Sequence, residues 1–181
     1  MKTVIIGKQV WMQENLNIDC YKNGDLLFEV QDPEEWKNLD RGAWCYYNND
    51  PENGKKYGKL YNWYAVHDPR GLAPKSWQIP TLAKFEILKD AVIQNGNSLK
   101  AQGQGKGRGA GTNRSGFSAL MAGYRIYDGE FSGLNHAAVF WSATEYGNNE
   151  ASIMNIYSNG DGIFLFENKK ELGFSVRCVM D

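Results

Sequence analysis

The sequence predicts a single α+β domain, on three observations. One amphipathic helix stands out near the middle of the chain. A series of short strand-like runs fills its last third. The 181 residues are 42% hydrophobic and 13% aromatic, enough apolar side chain for one well-buried core and too little length for two.

Residues 4–12 alternate loosely between apolar and polar, with Gly7-Lys8-Gln9 as a tight turn between two short strands. Residues 15–25 are polar and turn-rich. Asp32-Pro33-Glu34-Glu35-Trp36 is a helix start, with Asp as N-cap, Pro in the first turn and acids behind it. That helix is short and ends by Asp40-Arg41-Gly42. A strand is expected at 43–47 and a polar loop at 48–56. The aromatic run at 60–66 fits a helical turn or a strand, buried in either case.

The strongest helix covers 81–94, where Phe85, Leu88, Ala91 and Val92 recur at three- and four-residue spacing and Gly96 follows as a stop. Residues 103–111 carry glycine at alternate positions, which predicts a flexible surface loop. Strands follow at 117–124, 139–142, 151–156, 162–166 and 174–179, separated by Gly, Asn and Asp turns that suit antiparallel hairpins. No repeat is visible at a fixed period.

Charge excludes some partners. A formal net charge of −1 and a pI near 6.1 remove the usual electrostatic argument for nucleic acid or an anionic membrane. No stretch approaches eighteen apolar residues, so no membrane insertion is expected. The apolar run Val4-Ile5-Ile6 is too short for a signal-peptide core and reads as a first strand. Cys20, Cys45 and Cys178 lie far apart and in no metal-ligand spacing. They fit either one disulfide with a leftover thiol, Cys45 with Cys178 among the pairs, or three reduced cysteines.

Catalytic equipment is sparse. The glycine-rich stretch lacks the Gly-Lys-Ser/Thr ending of a phosphate loop and the strand-then-helix setting of a dinucleotide fingerprint. The two histidines, His67 and His136, have no partner at metal or general-base spacing. Asn48-Asn49-Asp50-Pro51-Glu52-Asn53 and Asn159-Gly160-Asp161 have the oxygen-rich composition of calcium sites without the spacing of a calcium loop, so turn formation explains them and no cofactor is expected. Glu130, Glu145 and Glu150 are the acids available for paired-carboxylate chemistry. The aromatics of the C-terminal half are more informative. Tyr124, Tyr127, Phe131, Trp141, Tyr146 and Tyr157 lie in or beside loops among Asn, Ser and Glu. That is the side-chain mixture of adaptable binding surfaces, although Trp141 suits the core better.

Several phrases then occur together in one order. They are 7–16 (GKQVWMQENL), 57–66 (YGKLYNWYAV), 77–81 (WQIPT), 115–120 (SGFSAL) with Gly123-Tyr124-Arg125, 140–145 (FWSATE) and 173–179 (GFSVRCV). The set resembles the Fibrobacter succinogenes major paralogous domain and spans essentially the whole chain; the glycine-rich insert at 103–111 is particular to this sequence. The resemblance implies a C-type-lectin-like fold, with two helices flanking small antiparallel sheets and the termini close together. It also implies an extracellular or cell-surface protein, often one module among several.

Within that wider group, calcium-dependent sugar binding uses a Glu-Pro-Asn or Gln-Pro-Asp motif, absent here, and Trp141 is followed by Ser142-Ala143. The paired cysteines of formylglycine-generating enzymes have no counterpart near Cys178. A non-catalytic module is therefore expected, with a glycan or protein as ligand and its oligomeric state open. The resemblance to retroelement variable proteins places the surface by region, at 141–166. The candidate ligand-binding residues are Tyr127, Glu145, Tyr146, Asn148, Asn155, Tyr157, Asn159 and Asp161. A structural or fibre-assembly domain is the alternative, and a carbohydrate-active enzyme a third.

Overall fold

In a computed structural model of the chain, which describes residues 2–180, β1 (Thr3–Ile6) and β2 (Gln9–Met12) form an antiparallel hairpin. Gly7 turns between them at φ +60°, in the left-handed region that a Cβ disfavours. β3 (Phe28–Glu29) runs parallel to β4 (Ala43–Cys45), with α1 (Pro33–Lys37) between them. Asp32 caps α1 by accepting from Glu35 N at 2.8 Å, and the helix buries Trp36.

The expected loop at 48–56 is instead a 3-10 turn followed by α2 (Pro51–Tyr57), capped by Asp50. The 60–66 run divides in two. Leu60–Tyr61 is β5 and Trp63–Val66 is α3, and Asn62 at the junction accepts from Ala65 N.

β6 (Trp77–Gln78) leads to α4 (Leu82–Ala91), capped by Thr81, and to the single turn α5 (Gly96–Leu99). α4 stops because Ile93 and Gln94 turn left-handed, at φ 53° and 56°; Gly96 opens α5 and is not the stop. β7 (Ala122–Arg125) pairs with β8 (Phe131–Leu134). β9 (Ala137–Tyr146), β10 (Glu150–Tyr157) and β11 (Ile163–Lys169) form an antiparallel meander, and β12 (Val179–Met180) closes the described chain.

The expected α+β, C-type-lectin-like architecture of two helices flanking small sheets is not what forms. The described residues are mostly β, in four small sheets ordered β1-β2-β12-β6, β11-β10-β9, β3-β4-β5 and β7-β8. Of the five helices only α2 and α4 reach seven residues. Capping residues set where a helix begins, but its length needs an apolar stripe sustained over several turns. Among these helices only α4 has one.

The meander separates two cores through strand alternation. On one face Ala138, Phe140, Met154, Ile156 and Ile163 pack with Phe85 and Leu88 of α4 and with Trp11. On the other, Val139, Trp141 and Ile153 pack with Tyr61, Trp63 and Phe174. Trp141 is fully buried, and its indole N–H donates to Tyr61 O at 2.8 Å.

The segment 173–179 joins these pieces. Gly173 exchanges hydrogen bonds with Arg125 of β7, Phe174 with Tyr61 of β5, and Ser175 bonds to Val139 and Trp141 of β9. Val176 O accepts from Leu16 N, Cys178 O accepts from Met12 N, and Val179 lies opposite Trp11 of β2 and Gln78 of β6.

Two buried guanidiniums support the same seam without a carboxylate in contact. Arg177 donates to Asn15 Oδ1 at 3.1 Å and to Met12 O at 3.2 Å, over the Phe117 ring at 4.6 Å; burial pulls its pKa down to about 9. Arg125 donates to Gly129 O, Val30 O and Gln31 O at 2.6–2.8 Å between the faces of Trp36 and Phe131. Carbonyl oxygens and ring faces stand in here for an anion. Cys20, Cys45 and Cys178 are free thiols, the last two buried.

The glycine-rich stretch is folded onto the body. Lys106 N donates to Ser158 O and Gly111 N to Gln104 O. A Cβ on Gly105 would lie 2.1 Å from Gly109 O, and one on Gly109 would lie 2.2 Å from Ser158 O. At these two positions glycine serves close backbone approach, and the expected loose loop is held down.

Candidate functional site

Beyond Ile153 the inner face of the meander changes character. The next two residues of β10 on that face are Asn155 and Tyr157. Opposite β10 on β11, the pairs Ala151–Asn168, Ile153–Phe166 and Asn155–Phe164 bring an amide and two rings to the same side. A cleft of about 420 Å³ opens there. The meander contributes Val139, Ile153, Asn155, Tyr157, Phe166 and Asn168, with Glu150 and Lys169 at the strand ends. Tyr124 on β7, Ile126 and Tyr127 supply a second side, and Leu172 and Phe174 lead into the seam.

Exposure divides the lining into floor and rim. Tyr127 and Tyr157 are 53% and 41% exposed. The Tyr157 ring leans on Phe164 at 5.7 Å, and the Lys169 ammonium stands 4.9 Å above the Tyr127 ring. Asn155 is only 5% exposed, and its Oδ1 is sealed from solvent with no hydrogen-bond donor. An unpaired buried acceptor costs about 1–3 kcal/mol. The buried indole N–H groups on this side are satisfied, Trp141 by Tyr61 O and Trp63 by Ser142 O. Asn155 is the exception on the cleft floor.

Sequence reasoning placed eight residues in one surface, and they occupy three places. Tyr127, Asn155 and Tyr157 share the cleft. Glu145, Tyr146 and Asn148 sit at the β9–β10 turn, where the buried Lys170 ammonium bonds Glu145 Oε1 and Asn148 O above the Trp63 ring. That ammonium holds the Glu145 carboxyl below its usual range. Asn159 and Asp161 lie in the β10–β11 turn at the other end. β10 spans eight residues, so the two turns stand about 25 Å apart at ~3.3 Å per residue.

The β10–β11 turn is anchored from beneath. The Lys100 ammonium, fully buried, donates to Tyr157 O at 2.8 Å and to Gly109 O and Gly160 O at 2.6 Å each. Burial lowers its pKa. One side chain thus ties the glycine-rich segment to the backbone of Tyr157.

The residues missed were Phe166, Asn168 and Lys169 on β11 and Leu172 beyond it. Counting pairs outward from the Asn159-Gly160-Asp161-Gly162 turn sets Asn155, Phe166 and Asn168 on one face by their period of two. Of the acids considered for paired-carboxylate chemistry, Glu150 lines the cleft. Glu145 is held by Lys170, and Glu130 lies at the β7–β8 turn.

His67 stacks on Trp63 at 4.4 Å and remains exposed. Among the described residues no group of three or more His, Cys, Asp or Glu is placed to hold a metal ion. A larger hollow, about 650 Å³, lies between β1, the end of α4 and residues 112–115. It too has an unpaired amide oxygen, on Asn97, but no aromatic ring lines it.

The family model described as the Fibrobacter succinogenes major domain matches residues 4–180. No curated protein and no solved structure matches the chain.

Proposed function

We propose that this chain, which belongs to the Fibrobacter succinogenes major domain family, is a non-catalytic binding module that recognises a glycan or protein ligand at its tyrosine-rimmed cleft. The observation that carries this reading is a cleft of about 420 Å³ in which the half-exposed rings of Tyr127 and Tyr157 stand beside Glu150, Asn168 and Lys169. Concave sites lined by rings with a few polar groups are the usual form of ligand pockets. Binding without calcium goes with this reading, and an extracellular or cell-surface location rests on the family resemblance alone.

The test is a binding screen of the whole chain against glycans and peptides, in calcium and in chelator, with Tyr157→Ala as control. Ligands that bind the native chain should be lost in the variant. Binding that survives the substitution would move the site elsewhere, and binding only with calcium would contradict the metal-free reading.

A structural or assembly role has its own observation. Ile5 on the edge strand β1 and Ile93 beside it in the larger hollow are 73% and 88% exposed. Sedimentation across a concentration series tests it: a reversible self-association abolished by Ile5→Lys with Ile93→Lys would favour assembly.

A further inference from the structure

We infer that the free edge of β1, together with the hollow of about 650 Å³ beside it, takes an extended acidic peptide. The peptide adds to the four-stranded sheet as a fifth strand and sets a carboxylate against Arg114. This surface shares no lining residue with the tyrosine-rimmed cleft and does not rest on the reading made of that cleft.

The first argument is the edge itself. β1 is the outermost strand of the β1-β2-β12-β6 sheet. Met12 N donates away from β1, to Cys178 O, while Gln13 N donates to Lys2 O. Met12 and Thr3, which lie opposite each other, are therefore a pair that exchanges no hydrogen bonds, and by alternation so are Val10 and Ile5. Thr3 and Ile5 point their N–H and C=O groups away from β2, and among the described residues nothing bonds those groups. Two donors and two acceptors, repeated at the two-residue spacing of about 6.8 Å, complement another extended backbone. A sugar or a small anion has no such repeat.

The second argument is the apolar surface along that edge. Ile5 is 73% exposed, and Ile93 across the hollow is 88% exposed. Ile93 is held there in the left-handed region, at φ 53°, which a β-branched residue rarely adopts. Alternate apolar side chains of an added strand would have these two to cover.

Charge selects among peptides. Among the described residues that line the hollow, Arg114 alone is charged. Its exposed guanidinium has no hydrogen-bond or ion-pair partner among the described residues. Residues 91–127, which include it, hold five Lys and Arg and no Asp or Glu. Lys2 and Lys8 flank β1 at its two ends. A carboxylate on the incoming strand would meet the guanidinium fork in a field of one sign. A second copy of this chain fits the edge less well. Its own β1, Thr3–Ile6, brings no carboxylate, and antiparallel pairing would gather the lysines of both copies at one joint.

The experiment selects a phage-displayed random decapeptide library on the whole chain at low salt, then resynthesises the leading peptide and titrates it by calorimetry. The inference expects sequences that alternate apolar residues and carry an Asp or Glu. Replacing that acid by its amide in the peptide, or Arg114→Gln in the chain, should each weaken binding about tenfold or more, and the two losses should not add. Arg114→Glu should instead accept the peptide with Lys in place of its acid. Ile5→Pro removes the outward N–H without touching a β1–β2 bond, so binding should vanish at an unchanged melting temperature. Amide exchange at Thr3 and Ile5 should slow when the peptide binds. Should Ile5→Pro unfold, Arg114→Gln and the charge swap decide alone. Peptides whose affinity changes less than about twofold in both variants would overturn the inference by placing their site elsewhere, and their loss in Tyr157→Ala would credit the cleft. A library that yields no binder would overturn it and leave the cleft, which has its own ligand screen, untouched. A concentration-dependent dimer lost in Ile5→Pro, with no peptide bound, would overturn it in favour of a second copy.

Discussion

The ammonium of Lys100 lies 2.8 Å from the backbone carbonyl of Tyr157, the residue whose ring stands at the rim of the cleft. A fully buried cation under the glycine-rich segment therefore helps set the position of one of the two rim tyrosines of the candidate site. Its other two bonds, to Gly109 O and Gly160 O, fasten the segment and the turn to the same point.

Lys100→Met should leave those three carbonyls without their common donor. Each unpaired buried acceptor costs about 1–3 kcal/mol, partly recovered by water entering the turn, so a net loss of about 2–4 kcal/mol is expected in chemical denaturation. Amide exchange should rise at Lys106 and Gly109, whose bonds close the same segment.

The glycines should divide sharply under alanine substitution. At Gly109 a Cβ would meet backbone atoms of Ser158 and Gly160 at 2.2–2.6 Å, and these atoms cannot give way cheaply. Gly109→Ala should destabilise by about 1–3 kcal/mol. Gly160 has open space at its Cβ and no left-handed φ, so Gly160→Ala should fall within about 0.5 kcal/mol of the native chain. Paired thermal melts decide this.

Asn155→Leu should raise stability by about 1 kcal/mol, because it removes an acceptor that has no donor and replaces it with apolar volume. Most buried substitutions go the other way. A clear loss in urea denaturation would mean that the amide is satisfied within the fold.

The thiols predict an alkaline limit. Burial pushes Cys45 and Cys178 up to about 12 from an ordinary 9. Below pH 9 the thiol is protonated in both states, so nothing is lost. Between 9 and 12 the unfolded chain releases protons that the folded chain keeps, and stability falls with rising pH. Cys45→Val with Cys178→Val should flatten that fall. At neutral pH a thiol reagent should label Cys20, the partly exposed thiol, well before the other two.

Arg177→Lys should destabilise by about 2–3 kcal/mol. An ammonium cannot span Asn15 Oδ1, Met12 O and Phe117 O while lying flat on the Phe117 ring. Equilibrium unfolding compared with Arg177→Met separates lost geometry from lost charge.

Local signals in the sequence were legible where one residue type decides the outcome. Gly7 turned the first hairpin, and Asp32-Pro33 and Thr81 began helices where their chemistry says they should. Asp50-Pro51-Glu52 carries the signal of Asp32-Pro33-Glu34, yet its Asn- and Lys-rich continuation hides a helix that buries little beyond Gly54 and Tyr57. Architecture was the larger error: the two flanking helices that the resemblance implies do not form, and α1 and the single turn α3 bury Trp36 and Trp63 through tertiary packing that no periodic pattern announces.

At the candidate site, choice by side-chain type brings Tyr127, Asn155 and Tyr157 into one cleft, while Glu145, Tyr146 and Asn148 fall at the β9–β10 turn and Asn159 and Asp161 at the β10–β11 turn, at opposite ends of strand β10. The glycine-rich segment misled for a related reason. Alternating glycine means freedom in an isolated chain, but at Gly105 and Gly109 it means room for another backbone.

The seam at 173–179 has a consequence for how the molecule can assemble. Every sheet except the β3–β4 edge meets its neighbours through those seven residues, directly or through the strand they pair with. A nascent chain that has emerged only as far as β11 holds β2, β5, β7 and β9 with open hydrogen-bonding edges and a divided core. Hairpins such as β1–β2 and β9–β10–β11 can form early, being local. Joining them must wait for a segment 160 residues or more from its partners at Met12 and Leu16, so closure is slow and nearly all-or-none. Until then the half-made molecule has the exposed strand edges that invite pairing with another copy of itself.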